Sequence, residues 1–291
     1  MASILDRYGI KEVADVTFYE IDDNGGRGKP VLYLDTLKVS TIEQTAETAD
    51  ARGGKGNPKL VSWDYGKEIN VTIEDALFSS KSMAIMFGNG KVDSISQEIY
   101  KTSVVRVTGS GSNVTSDYFM GDVLVDGSAV RTKIHMASAV PTGDSGVTYA
   151  NSKITIDKIT SEDGTEITFT NDNLVSNWDT LLKDYIGKKV FITYKANADT
   201  KTIVISGDSF PGTYYITGDT YARSDVTGKD QFFQFIIPKA KVTSENTITL
   251  EAEGDPSVFS MNLTVLRPEN GEMMKLVQYD LTAEVAKPAA G

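Results

Sequence analysis

A two-residue alternation of apolar and polar side chains is the feature that most constrains the fold of this chain. Ile69, Val71 and Ile73 are separated by polar residues, and the same period recurs in residues 247–251 and 259–265. Successive side chains of a β-strand point to opposite faces, so this period is typical of strands with one buried and one solvated face. The sequence therefore predicts a mainly β protein built from antiparallel sheets.

Short Asx-Gly segments separate several of the alternating runs. They occur at residues 23–26, at Asp163-Gly164 and at Asn270-Gly271. Glycine readily adopts the positive φ angles that tight hairpin turns require. The sequence predicts a hairpin turn at each of these three places.

Two short helices are predicted to cover an open face of the β structure. The first is expected to begin at a capping Asp75 and to end at Gly88 in a left-handed conformation. The second runs from about Asn177 to Ile186, where apolar residues follow helical spacing, and Gly187 is expected to end it.

Residues 42–60 form a charged, glycine-rich segment that leads into the strand containing Ile69. Its first half is acidic and its second half is basic; the residues are Glu43, Glu47, Asp50, Arg52, Lys55 and Lys59. This pattern predicts a long polar loop, because connections of such length are usually functional or disordered. Two interpretations remain open: a mobile surface hairpin kept solvated by its charges, or an arm that reaches into a neighbouring copy of the protein.

Composition excludes several classes of function. The chain of 291 residues, enough for one large β domain or two smaller ones, has no cysteine, which excludes disulfides, thiolate metal sites and cysteine nucleophiles. The 40 acidic and 29 basic residues give a net charge of −11, which argues against a protein that grips phosphate backbones. The sequence contains neither a membrane-spanning apolar run nor a secretion signal, so a soluble protein made in the cytoplasm is expected.

Residues suited to catalysis are few. The only histidine, His135, lies in an alternating run and is predicted to be a strand residue, and no GxSxG motif accompanies it. Glu251 and Glu253 are two apart and could suit a glycosidase, but in so acidic a chain such a pair is better explained as a solvated strand face. The sequence predicts no catalytic, cofactor or metal site.

Two long segments carry a resemblance to a known family. They are GGKGNPKLVSWDYGKEINVTIEDALFS, at residues 53–79, and residues 211–276, which contain IIPKAKV and EAEGDPS. Together with the order of the surrounding elements, they resemble the tail tube proteins of long-tailed bacteriophages over about residues 8–100 and 188–282. In fold, these also resemble the ring proteins of contractile injection systems.

The resemblance implies an antiparallel β-barrel or sandwich with one or two short helices. Residues 1–105 and 176–291 would form this tail-tube domain, and residues 106–175 would be an inserted β-rich segment. Such subunits form hexameric rings that stack into a hollow tube, through which DNA is ejected into the host. Residues 42–60 would then lie along the seam between subunits or reach the next ring.

The family also implies the partners and the location of the protein. Its main partner would be itself, and its others the tape-measure, baseplate or tail-tip, and tail terminator proteins, with a sheath in contractile tails. DNA would pass through the lumen without specific binding, and no membrane would be involved. The protein would be assembled in the host cytoplasm and would end in the virion tail.

Two alternatives belong to other classes. A capsid decoration or host-binding β module of a virion would use the inserted segment for ligand contacts and would not form tubes. A glycan hydrolase using Glu251 and Glu253 would require these carboxylates to lie in a deep cleft.

Overall fold

The computed structural model describes residues 7–10, 12–88, 90–170, 177–244 and 258–279. The chain divides into two compact units, residues 1–93 with 201–291 (unit 1) and residues 94–200 (unit 2). The assignment of residues 106–175 as a segment inserted into a tube domain at residues 1–105 and 176–291 stays a prediction.

Strands account for most of the described residues, and two short helices accompany them. The strands are β1 (Tyr8–Ile10), β2 (Asp15–Ile21), β3 (Arg27–Leu34), β4 (Leu37–Arg52), β5 (Lys59–Asp75), β6 (Asp93–Arg106), β7 (Gly109–Ser110), β8 (Asn113–Val114), β9 (Tyr118–Val125), β10 (Ser128–His135), β11 (Val147–Thr148), β12 (Thr155–Ser161), β13 (Lys189–Thr202), β14 (Thr213–Ser224), β15 (Asp230–Val242), β16 (Phe259–Val265) and β17 (Lys275–Tyr279). The helices are α1 (Ser80–Phe87) and α2 (Trp178–Leu182), the latter continued by a 3-10 turn at Lys183–Tyr185. The predicted mainly β, antiparallel fold with two short helices is confirmed.

Unit 1 is built on one large antiparallel sheet. Its strand order is β3-β2-β14-β15-β16-β5-β4, with β1 also paired to β14 and β17 to β15. The sheet does not close into a barrel within the described ranges, which is consistent with a sandwich. Gly218 permits close packing here, because a Cβ added to it would lie 2.1 Å from the ring of Phe235.

The alternation seen in the sequence places the core of unit 1. Ile69, Val71 and Ile73 are buried on β5, and the alternate residues of β16 from Phe259 to Val265 are buried beside them. The two strands pair antiparallel from Thr264 opposite Asn70 to Phe259 opposite Asp75. Both strand predictions are confirmed over these residues, whereas residues 247–251 lie outside the described ranges.

Unit 2 has its own core and three small sheets. Their strand orders are β11-β10-β9, β12-β13-β6 and β7-β8. Ile134, Ile159 and Ile192 are fully buried in this core. Helix α2 closes it, since the buried Trp178 donates its indole N–H to the carbonyl of Ser116 at 2.7 Å. The predicted second helix is confirmed, and Gly187 follows it at φ 88°.

The glycine turns are confirmed as turns, with one difference in pairing. Gly25, Gly164 and Gly271 all have positive φ, and β2 and β3 form the hairpin expected around residues 23–26. Around Asn270-Gly271 the hairpin prediction is wrong, because β16 and β17 both pair with β15 and not with each other.

Helix α1 begins later than predicted. Its N-cap is Ser79, whose side chain accepts from the N–H of Ser82 at 3.0 Å while Ser82 Oγ accepts from the N–H of Ser79. Asp75 is instead the buried last residue of β5 and accepts a hydrogen bond from the Thr36 hydroxyl at 2.5 Å. Gly88 ends the helix at φ −139°, so the predicted left-handed cap is wrong.

Candidate assembly interface

Residues 42–60 form a β-hairpin. Strands β4 and β5 pair antiparallel from Leu37 opposite Asp75 to Arg52 opposite Lys59, and residues 53–58 form the turn between them. The predicted long polar loop is therefore wrong, and of the two open interpretations the hairpin is the one that describes the local structure. The turn uses left-handed backbone at Gly54, Gly56 and Asn57.

The outer part of this hairpin stands clear of the core. We define the hairpin arm as residues 41–68, which are exposed or, at Asp50, Ala51 and Gly53, partly exposed. Burial on β5 begins only at Ile69, and the pairing of β5 with β16 ends at Asn70. Ten residues of β5 precede Ile69, a length of roughly 30 Å at the rise of a strand. The arm is thus a two-stranded ribbon without a third strand in the part of the chain that the structure describes.

One face of the arm is apolar although it is exposed to solvent. Val61, Trp63 and Tyr65 alternate on β5, with relative exposures of 47%, 57% and 54%. Their partners on β4 are Ala51, Ala49 and Glu47, respectively. We call the three β5 residues the apolar strip. In the sheet interior, such alternation faces a core, but here it faces water.

The opposite face carries a compact ion cluster. Asp50 accepts from Lys59 Nζ at 2.8 Å, from Ser62 Oγ at 2.8 Å and from Arg52 at 3.2 Å. These hydrogen bonds, that of Lys59 first, hold the pKa of Asp50 below its ordinary value. Two of the three predicted basic residues are therefore already paired within the arm.

The remaining charged residues of the predicted interface are not in this cluster. Lys55 lies in the turn and forms no ion pair with a described residue. Glu47 accepts a hydrogen bond from Tyr65, which raises the pKa of that phenol. Glu43 is exposed on β4 opposite Asn70. The structure thus joins Asp50, Arg52 and Lys59 and leaves Glu43 and Lys55 apart.

The apolar strip was missed by the sequence analysis. Its signal was present, since the letters VSWDY at residues 61–65 alternate in the same way as residues 69–73. The charges and glycines of residues 42–60 favour a loop over the same residues and thereby obscure this alternation.

His135 is confirmed as a strand residue. It is the last residue of β10, is fully buried, and has Nε2 3.0 Å from the carbonyl oxygen of Ser145. Its ring also lies 5.4 Å from that of Tyr118. Glu251 and Glu253 lie outside the described residues.

Within the described ranges, no group of three or more His, Asp or Glu residues is placed to hold a metal ion. No helix among these residues has the length and apolar character that crossing a bilayer demands.

Comparison with known proteins gives one informative result. No curated protein matches the sequence significantly. The profile of the YomU/Tube protein family matches residues 8–134 and 126–278, and therefore covers both units and the entire hairpin arm. On this match, the chain belongs to the YomU/Tube protein family, a family of phage-like structural tube proteins.

Proposed function

We propose that this protein is the repeating subunit of a phage tail tube. Six copies form a ring, rings stack into a hollow conduit, and DNA passes through it into the host. The observation that carries the proposal is the apolar strip of the hairpin arm, which is exposed in a chain that belongs to a tube family. In this proposal the protein has a structural role and no catalytic one.

The energetics of the arm favour a second copy as its partner. An isolated two-stranded ribbon is at best marginally stable in water, because it cannot bury a hydrophobic face. Contiguous apolar surface of this kind is typical of protein interfaces. Burying Trp63 and Tyr65 stabilises association by about 25 cal/mol for each Å² of apolar surface removed from water. Assembly would therefore cover the apolar face that the arm exposes as a monomer.

The two edges of the unit 1 sheet differ in their capacity to add a strand. The outer edge of β4 is unpaired along Leu37–Arg52 in the described chain. The opposite edge strand, β3, contains Pro30, whereas β4 contains no proline. Proline removes a backbone donor from the ladder, so β4 is the edge better suited to augmentation by a neighbour.

A ring of identical subunits uses two different surfaces on each copy. Such a heterologous contact closes into a ring only if the rotation between neighbours divides a full turn. The arm is one such surface, and we propose that it lies along the seam between subunits or reaches the next ring. The net charge of −11 supports an acidic lumen, because like charge keeps passing DNA from binding.

The proposal also covers partners and location. The tube is expected to form around the tape-measure protein in the host cytoplasm, between the baseplate or tail tip and the tail terminator. A sheath surrounds it in a contractile tail. The finished protein is then part of the virion.

The test is the assembly state of purified protein, observed by negative-stain microscopy and sedimentation. The wild type is expected to form rings or rods, and Trp63→Ser is expected to prevent this while leaving the circular dichroism unchanged. Phe210→Ser is a matched control, since Phe210 is 65% exposed and lies outside the arm. Exclusively monomeric wild type at high concentration, with nucleating tail components added, would contradict the proposal.

A second candidate is a decoration or host-binding module of a virion. Unit 2 favours it in one respect, since residues 94–200 have a separate core and could carry ligand contacts. A module of this kind binds the particle without polymerising. The same micrographs separate the two candidates.

A further inference from the structure

One sheet face of unit 1 is rich in aromatic residues and carries two carboxylates that form no ion pair with a described residue. Its rows follow the strand register, with Tyr221 opposite Phe232, Phe232 opposite Tyr279, and Asp219 opposite Asp15. We define the aromatic face as six residues of β2, β3, β14, β15 and β17: Asp15, Tyr33, Asp219, Tyr221, Phe232 and Tyr279. The rings of Phe232 and Tyr279 stack at 5.3 Å, and Tyr221 lies 5.6 Å from Phe232.

The carboxylates of this face lack a cation. Asp15 and Asp219 are direct cross-strand partners, a placement that is unfavourable for like charges. Neither forms an ion pair with a described residue. The nearby Arg223 is held by Asp230 in a bidentate pair at 2.7 and 2.9 Å. The face therefore keeps a negative charge that the rest of the described chain does not neutralise.

Each of the two carboxylates accepts a hydrogen bond from a tyrosine. Tyr33 donates to Asp15 at 3.2 Å, and Tyr279 donates to Asp219 at 3.4 Å, where the side-chain amide of Gln234 also donates at 2.6 Å. The pKa of Tyr33 is raised by desolvation and then by Asp15, which is consistent with negative potential over this face. Carboxylates beside aromatic rings bind cationic side chains well, because ion pairing and cation–π attraction act together.

The tip of the hairpin arm, residues 50–59, has a positive charge that complements the negative charge of the aromatic face. Arg52, Lys55 and Lys59 oppose the single carboxylate of Asp50, which leaves a net charge of +2. Arg52 and Lys59 already pair with Asp50, whereas Lys55 is exposed in the turn and has no ionic partner among described residues. Lys55 is thus the cation of the tip that is available to another surface.

We propose that Lys55 of one copy docks on the aromatic face of a second copy. Its ammonium group binds between Asp15 and Asp219 and contacts the rings of Tyr33 and Tyr279. This inference rests on the proposed function and assigns the surface that receives the arm. Two different surfaces of one subunit meet, as a heterologous assembly requires.

Within a single chain, the arm tip does not dock on the aromatic face. In the single chain both the arm tip and Asp15 are exposed. The arm belongs to β4 and β5, and β15 and β16 separate β5 from β14 in the sheet. At about 4.8 Å between strands, this places β5 roughly 14 Å from β14 across the sheet.

The test exchanges the charges of the two surfaces. Lys55→Glu places a carboxylate at the unpaired position of the tip and lowers the net charge of the tip from +2 to 0, and Asp15→Lys combined with Asp219→Asn gives a positive face. Each variant alone is expected to raise the protein concentration needed for assembly about tenfold or more. An equimolar mixture is expected to assemble near the wild-type concentration, because the side chain at position 55 of each copy can then meet a face of opposite charge. Lys189→Glu, an exposed change of the same charge in unit 2, is the control and should leave assembly unchanged.

The outcomes separate this inference from the proposed function. If the wild type does not assemble, both are overturned. If the wild type and Lys55→Glu assemble alike, only the docking inference is overturned. If the face variant fails alone and is not rescued in the mixture, another segment occupies the face and the inference is again wrong. Thermal unfolding of the face variant confirms that a lost assembly is not a lost fold.

Discussion

The two halves of β5 have the same alternating pattern but different surroundings. In the inner half, residues 69–75, every second residue is buried and the strand pairs with both β4 and β16. In the outer half, residues 59–68, all residues are exposed and the strand pairs with β4 alone. Trp63 therefore occupies a position like that of Ile73 without a core in front of it. In our proposal, the surface of another copy takes the place of that core in front of the outer half.

The largest expected effect comes from truncating one residue in each half. Ile73→Ala removes a side chain that is 1% exposed and should lower the free energy of unfolding by about 2–5 kcal/mol. Trp63→Ala should change it by no more than about 0.5 kcal/mol, since its side chain faces solvent. Urea denaturation of the unassembled protein measures both. Similar losses of unfolding free energy for the two variants would contradict the difference between the two halves of β5.

A smaller effect is expected when the arm tip is reversed in charge. Replacing Arg52, Lys55 and Lys59 together by Glu places four carboxylates on the tip and should shorten or abolish tubes, with an unchanged circular dichroism spectrum. Each exposed ion pair contributes only about 0–1 kcal/mol, but in the proposed tube the contact would be repeated in every subunit. Tube length in negative-stain micrographs is the measurement.

A variant with the same change in net charge outside the arm shows whether the location of the charges matters. Lys153, Lys189 and Lys229 are exposed lysines outside the arm, and their joint replacement by Glu gives the same change in net charge. This variant should form tubes of ordinary length. Equal impairment of both variants would assign the effect to overall charge and not to the arm.

The smallest effect concerns pH. The lowered pKa of Asp50 means that its contribution to the hairpin is present above about pH 4 and is lost as the pH falls through the folded-state pKa. Lys59→Gln removes the main cause and should move the pKa of Asp50 upward. NMR titration of the Asp50 carboxyl carbon in both proteins tests this, and an unchanged pKa in the variant would show that the pair has no influence.

Local pattern was sufficient to predict the strands and turns whose partners are close or whose faces are buried. Ile69, Val71 and Ile73 were identified because burial imposes strict alternation on β5. The turn at Asp163-Gly164 was identified because its glycine needs a positive φ, and the Asp163 carboxylate accepts from the N–H of Thr165 at 3.0 Å.

Contacts between residues far apart in the sequence explain where the predictions from sequence are wrong. Asp75 was predicted to cap α1, but Thr36, 39 residues away, engages its carboxylate and leaves the cap to Ser79. The charges and glycines of residues 42–60 favour a loop, and only the pairing with β5 shows that residues up to Arg52 continue a strand. Asn270-Gly271 could not specify a hairpin, since the partner of both flanking strands is the distant β15.

Deuterium uptake by residues 59–68 before and after assembly tests the central claim most directly. The account predicts rapid exchange at the amides not paired with β4 in the unassembled protein and marked protection in rings or tubes, while residues 69–75 are protected in both states. Assembled particles in which residues 59–68 exchange as fast as in the monomer would contradict the assignment of the hairpin arm as the interface.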